Sequence, residues 1–196
     1  MVQYESICNF GGEIVKPISL KTFIDDYIPI NIYIIYPYGF CVFYVVFSGF
    51  LFSFYKKISA VKIATFYFSA ILVYLFCYSI YLIFPTTASE VMITKFDSKI
   101  MNEGMFKALQ LLYHASTPLG DFPSLHVAPM VYMGLFLYNN WRSLFWIFLP
   151  FGFLGSIGTV LLKFHVFIGF LGGAVVGIIG YYIFYKTLLS KYTSDL

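Results

Sequence analysis

Phe164-His-Val-Phe-Ile-Gly-Phe-Leu-Gly-Gly-Ala-Val-Val-Gly-Ile-Ile-Gly-Tyr-Tyr-Ile-Phe-Tyr185 contains no Asp, Glu, Lys or Arg. About 20 apolar residues in helical form cross the hydrocarbon core of a bilayer, so this stretch reads as a membrane helix. Four further stretches are free of those charges: Tyr27–Tyr55, Ile63–Ser89, Phe122–Trp141 and Ser143–Leu162. The chain is 60% apolar and only 11% charged, where soluble domains carry roughly 25% charged residues. The fold expected is therefore an all-α polytopic membrane protein, a bundle of about five transmembrane helices. Its 196 residues leave room for a single membrane domain, with an interfacial segment over 1–26, the bundle over 27–185 and a tail over 186–196.

Met1–Asp26 mixes charges with Gly11, Gly12 and Pro17 and lacks the basic-then-apolar order of a signal peptide. Within it, Ile14–Tyr27 has the scattered apolar residues of an interfacial amphipathic helix. Cys8, Cys41 and Cys77 are too few and too scattered for a disulfide framework. The long connection Pro85–Asp121 carries a second expected interfacial helix around Glu103–Tyr113, with Asn102 as its N-cap. Lys56, Lys57, Lys62, Arg142, Lys186 and Lys191 fall on one side of the membrane if five spans alternate. The density of basic residues in those short loops puts that side in the cytoplasm and points to a cell (inner) membrane.

Two strings carry the chemistry: Phe122-Pro-Ser-Leu-His126 and Thr159-Val-Leu-Leu-Lys-Phe-His165. Each sets a histidine at the mouth of an apolar run, where an ionisable group marks a functional site by default. Two crossings separate the histidines, so both face one surface, the non-cytoplasmic one in the orientation above. Pro123 suits the first turn of a helix, whose free N–H groups near Ser124 and Leu125 would cradle an anion. The alternative for each is ordinary: Pro-Ser as a helix cap, His126 as an interfacial side chain, Lys163 as a snorkelling anchor. His114, Lys107 and Lys99 fit a solvated loop better than a cavity wall. Three histidines without clustered carboxylates make no metal site. A net charge of +3 spread over both faces of a membrane protein argues against nucleic-acid binding.

The first string resembles the phosphate-binding motif of the type 2 phosphatidic acid phosphatase superfamily, commonly Pro-Ser-Gly-His. Leu125 in the third place, with Thr159, Lys163 and His165 in register, is similar to the inositol phosphorylceramide synthase-like branch. The resemblance spans roughly Ile80 to Tyr185. It implies catalysis by His126 and His165 and phosphate binding by Ser124, Leu125 and Lys163. His165 would attack phosphorus to give a phosphohistidine, His126 would protonate the leaving oxygen, and no cofactor or metal would be needed. The substrate would be a lipid phosphate or polyprenyl phosphate, hydrolysed or used for head-group transfer. The two rings would then lie about 4–8 Å apart, close enough to share one phosphorus.

The family usually sets an Asp four residues after the nucleophilic histidine; here that residue is Gly169. The basic residues of the family's first motif also lack counterparts around Phe84–Glu90. Gly169, Gly173 and Gly177 form a small-residue face suited to close helix packing. Three readings follow: an enzyme with a substitute acid, for which Asp121 is nearest; a degenerate lipid-phosphate-binding relative; or a site whose acid has been replaced. A small proton-coupled channel or transporter is the alternative from another class.

Overall fold

The computed structural model describes residues 8–10, 13–15, 17–39, 48, 52, 58–88, 104, 107 and 120–194. Near the N-terminus, β1 (Cys8–Phe10) and β2 (Glu13–Val15) form a small antiparallel ribbon. β3 (Ile18–Ser19) follows Pro17 and pairs in parallel with β4 (Thr86–Thr87). The helix expected over Ile14–Tyr27 is thus confined to the five residues of α1 (Phe23–Tyr27). The reason is that Ile18 donates its N–H to the Pro85 carbonyl at 2.9 Å, spending upstream backbone groups on another segment. A single 3₁₀ turn, Ile32–Ile34, comes next.

The helical bundle consists of α2 (Ala60–Ile83), α3 (Val127–Asn140), α4 (Arg142–Leu161) and α5 (Phe167–Ile179). α5 continues through a π-helical turn, Gly180–Tyr185, into α6 (Lys186–Ser194). Ser59 starts α2 by accepting the Lys62 N–H, and Pro85 stops it by having no N–H to continue the ladder. Among the described residues, three helices are long and apolar enough to cross a membrane: Ala60–Ile83, Arg142–Leu161 and Phe167–Tyr192. These match the second, fourth and fifth expected spans.

The third expected span is shorter than its sequence. Phe122–His126 is spent on a turn, leaving the 14 residues of α3, about 21 Å at 1.5 Å per residue, against a core of roughly 30 Å. Of the first expected span, residues 35–39, 48 and 52 are helical, and most of 40–57 lies outside the described residues. The interfacial helix expected around Glu103–Tyr113 also lies outside them, save Gly104 and Lys107, which are helical.

α3 is the hub. Tyr132, Met133, Phe136 and Leu137 are buried against Phe66 and Val73 of α2 and against Tyr181 and Tyr185. The Tyr132 hydroxyl bonds the Phe66 carbonyl (2.9 Å) and the Ser69 hydroxyl. α3 meets α5 along the glycine face: a Cβ on Gly173 would stand 2.7 Å from the Ser124 carbonyl oxygen, and one on Gly177 would stand 2.5 Å from that of Ala128. The outward faces are apolar, with Leu75 of α2 and Trp146 and Ile147 of α4 more than half exposed. A contiguous exposed apolar surface of this kind marks a lipid-facing wall.

Candidate active site

The first motif is held as a turn by residues far from it in sequence. Thr86 accepts the Gly120 N–H on its carbonyl and the Phe122 N–H on its hydroxyl, both at 2.9 Å. Tyr81, from the end of α2, donates its hydroxyl to the Pro123 carbonyl at 2.5 Å. Gly120 is needed beneath it. Its φ is +82°, and a Cβ there would lie 2.8 Å from the Tyr81 ring. The Phe122–Pro123 peptide is cis.

Ser124 is fully buried and behaves as a cap. Its hydroxyl faces the Val127 N–H at 3.4 Å, and its carbonyl accepts the Ala128 N–H at 3.1 Å. Its own N–H, expected to face an anion, donates to the Gly169 carbonyl at 2.9 Å. The glycine face explains this: α5 comes close enough for backbone to bond backbone. The Leu125 N–H stands against the Tyr81 phenol oxygen.

The second motif forms the turn between α4 and α5. The Thr159 carbonyl accepts the N–H groups of Phe164 (2.9 Å) and His165 (3.1 Å). The Thr159 hydroxyl returns to the Ser156 carbonyl at 2.7 Å. Lys163 adopts φ 58°, a left-handed conformation uncommon for a side-chain-bearing residue. Its ammonium donates to the Asp25 carbonyl at 2.6 Å. Burial pushes the Lys163 pKa down, and the Asp25 and Asp26 charges oppose that. Asp25 clamps this loop from the N-terminal segment. One carboxylate oxygen takes the Phe167 N–H (2.7 Å), and the other takes the Thr22 N–H (2.7 Å) and hydroxyl (2.8 Å).

These two turns bring the histidines together. His126 Nδ1 lies 3.0 Å from His165 Nε2, and the ring centroids are 5.3 Å apart. On its other side, His165 Nδ1 lies 3.0 Å from Asp121 Oδ1 and 3.1 Å from the Asp121 carbonyl. Asp121 Oδ1 also accepts the Val166 N–H at 3.1 Å. Asp121 is 2% exposed, and its Oδ2 is buried without a hydrogen-bond partner among the described residues. Because the Asp121 backbone carbonyl only accepts, His165 Nδ1 carries the hydrogen toward Asp121. His165 Nε2 then holds a lone pair, and His126 Nδ1–H donates to it. Burial, with His165 adding to it, pushes the His126 pKa down to about 4. His126 is therefore neutral at pH 7.

Gly169 faces Asp121 directly. A Cβ there would meet the Asp121 carbonyl oxygen and stand 3.1 Å from Oδ1. The space one helical turn beyond His165 is occupied by Asp121, entering from the preceding loop. Tyr38 closes the other flank of His126, with ring centroids 5.7 Å apart, and stacks on Phe164 at 5.3 Å.

His126, His165, Asp121, Ser124 and Gly169 thus converge, while the Lys163 ammonium is bonded to the N-terminal clamp. Lys99 and His114 lie outside the described residues. Tyr81, Tyr38 and Asp25 escape a sequence reading because tertiary contact alone recruits them. Only Asp25 leaves a local trace, as the fourth residue of the capping box Thr22–Asp25. Among the described residues, no group of three or more His, Cys, Asp or Glu could hold a metal ion.

Comparison with curated proteins and with solved structures finds no match. The sequence profile of the PAP2 superfamily, by contrast, matches residues 14–183, nearly the whole chain and well beyond the two motifs. By that match the chain belongs to the PAP2 superfamily, a membership that suggests a phosphatase-type function, and its long apolar helices suggest a membrane protein.

Proposed function

We propose that this protein is a single-domain integral membrane enzyme that removes or transfers the phosphoryl group of a lipid phosphate through a phosphohistidine. The observation that carries the reading is the chain of contacts Asp121 Oδ1–His165–His126, at 3.0 Å and 3.0 Å. It leaves the Nε2 lone pair of His165 as nucleophile, with Asp121 stabilising the positive charge that develops on the ring. His165 Nε2 bonds to phosphorus while the bond from phosphorus to the ester oxygen breaks. That oxygen takes a proton from His126. Burial keeps His126 neutral on its own, so it gains this proton with the substrate, whose phosphate charge offsets burial. Water, or an alcohol in a transfer reaction, then attacks phosphorus. It gives its proton to His126, and the P–N bond breaks.

The substitute acid favours an active enzyme over a degenerate binding relative. Leu125 and the Thr159–Lys163–His165 register support the inositol phosphorylceramide synthase-like branch. Ser124 and Lys163 would reach a phosphate only through their remaining hydrogens.

Phosphate release from a short-chain lipid phosphate in detergent tests the reading. His165→Ala and His126→Ala are each expected to lower kcat by about 10⁴-fold or more. A labelled phosphate should be trapped on His165 as an acid-labile adduct. A chain that turns over no phosphate ester, or that labels on another residue, would overturn it.

A further inference from the structure

A groove of about 260 Å³ opens between α3 and α4. One end is bounded by Val127, Ser156 and Phe170. Val127 follows His126 directly, and Phe170 follows Gly169, whose carbonyl holds Ser124. From there the groove passes Gly152 and Gly134 to Leu135 and Phe145. Val127 to Leu135 is about 12 Å of helix at 1.5 Å per residue. Apart from Ser156 the lining is apolar or glycine, and Phe153 on its lip is 60% exposed toward the lipid side.

The glycines distinguish this groove from a chance gap. Along the α3–α5 seam, glycines are pressed against backbone; at Gly134 and Gly152 a Cβ would meet nothing within 4 Å. Packing does not demand glycine at either position. Their missing side chains leave the space between α3 and α4 open. A polar occupant fits poorly in a channel whose walls offer it no hydrogen-bonding partners along most of their length.

Resting on the phosphatase reading above, we infer that the α3–α4 groove holds one straight hydrocarbon chain of the substrate, and that Gly134 and Gly152 set the room for it. The head group then sits at the histidines and the tail runs along α3 toward the middle of the bilayer. Because the tail moves from lipid to protein, the gain is one of packing and alignment rather than removal from water. A side chain that displaces the tail misplaces the phosphorus and lowers turnover.

The experiment compares a long-chain with a butyl phosphate monoester, at fixed surface fraction in mixed micelles, for wild type, Gly152→Leu and Gly134→Leu. Blocking the groove is expected to lower the ratio of long-chain to butyl kcat/KM by about 10- to 100-fold, the cost of overfilling a packed site. Ile147→Phe, on the outer face of α4, is the control and leaves that ratio unchanged. A ratio unmoved by both glycine variants overturns the inference, even where the wild type is an active phosphatase. A photoreactive alkyl phosphate supplies a readout independent of turnover. Labelling within 127–156 that long-chain phosphate displaces and a phosphate-free alcohol does not supports the groove. Labelling spread evenly around the bundle shows only bulk lipid and rejects it. If no ester is turned over, the phosphatase reading fails, and this labelling still decides whether the groove takes the tail.

Discussion

At the scale of single residues, the site turns on how Asp121 and Gly169 divide one small space. The carboxylate comes from the loop before the first motif instead of from α5, and the absent Cβ of Gly169 admits it. Asp121→Asn keeps an amide oxygen for the Val166 N–H and the His165 Nδ1–H but removes the charge that stabilises the imidazolium as the phosphorus bond forms. The expected loss is about 10²–10⁴ in kcat, up to that of an orienting acid in hydrolases, with KM nearly unchanged. Gly169→Asp is expected to lower activity too, because its Cβ runs into the Asp121 carbonyl; a gain in kcat would show that the acid was missing after all. His126 predicts a pH dependence of stability. Its folded pKa of about 4 lies below the ordinary 6.5. Between those values the unfolded chain binds a proton that the folded chain refuses, so stability falls as pH drops from 6.5 toward 4. Thermal melts across that window should show the decline, and His126→Asn should flatten it. The histidines and Asp121 were legible because motif spacing and membrane parity put them on one surface. Tyr81 and Tyr38 were not, because nothing local distinguishes a tyrosine that latches a turn from one that faces lipid.

At the scale of elements, the seam between α3 and α5 fixes the distance between the two motifs. Ser124 N–H to Gly169 carbonyl at 2.9 Å is a backbone bond between the segments that bear the two histidines, and it forms only because small residues line α5. Gly173→Ala would put a methyl 2.7 Å from the Ser124 carbonyl and 2.9 Å from the Val127 Cβ. The expected cost is about 1–3 kcal/mol of stability, read as a lower Tm in detergent, with activity falling as the histidines part. Gly134→Ala, where a Cβ meets open space, should leave stability within about 1 kcal/mol of the parent and Tm nearly unmoved. Equal effects at the two positions would show that close approach of α3 and α5 is not what the seam provides. The every-fourth-residue glycine pattern announced this face in sequence. The lengths of the elements were harder to read, because hydropathy sees apolar content and not the hydrogen bonds that unwind a helix end. Phe122–His126 is as free of Asp, Glu, Lys and Arg as the span it opens and yet forms a turn, since Thr86 and Tyr81 take up its backbone groups.

At the scale of the whole molecule, the order of the helices puts the basic residues of the short loops at one end and the histidines at the other. α2 begins beside Lys62 and ends at Thr86, which holds Gly120 and Phe122. α3 leaves the histidine level and reaches Arg142, α4 returns to His165, and α5 runs away again to Lys186 and Lys191. Lys62, Arg142, Lys186 and Lys191 therefore share the end opposite the site. Because basic residues in short loops are retained in the cytoplasm, we propose that the histidines and the Asp25 clamp lie at the non-cytoplasmic face. The consequence is measurable in a background with Cys8, Cys41 and Cys77 replaced. Tyr27 is 82% exposed beside the clamp, and Tyr192 is 52% exposed at the basic end. A membrane-impermeant maleimide applied to intact cells should label Tyr27→Cys at once and Tyr192→Cys only after permeabilisation. Phosphate cleaved by this enzyme would then leave on the outer side, so its lipid must be present in the outer leaflet. The reverse labelling pattern would turn the molecule over and place its substrate in the cytoplasmic leaflet, leaving the chemistry of the histidine pair intact.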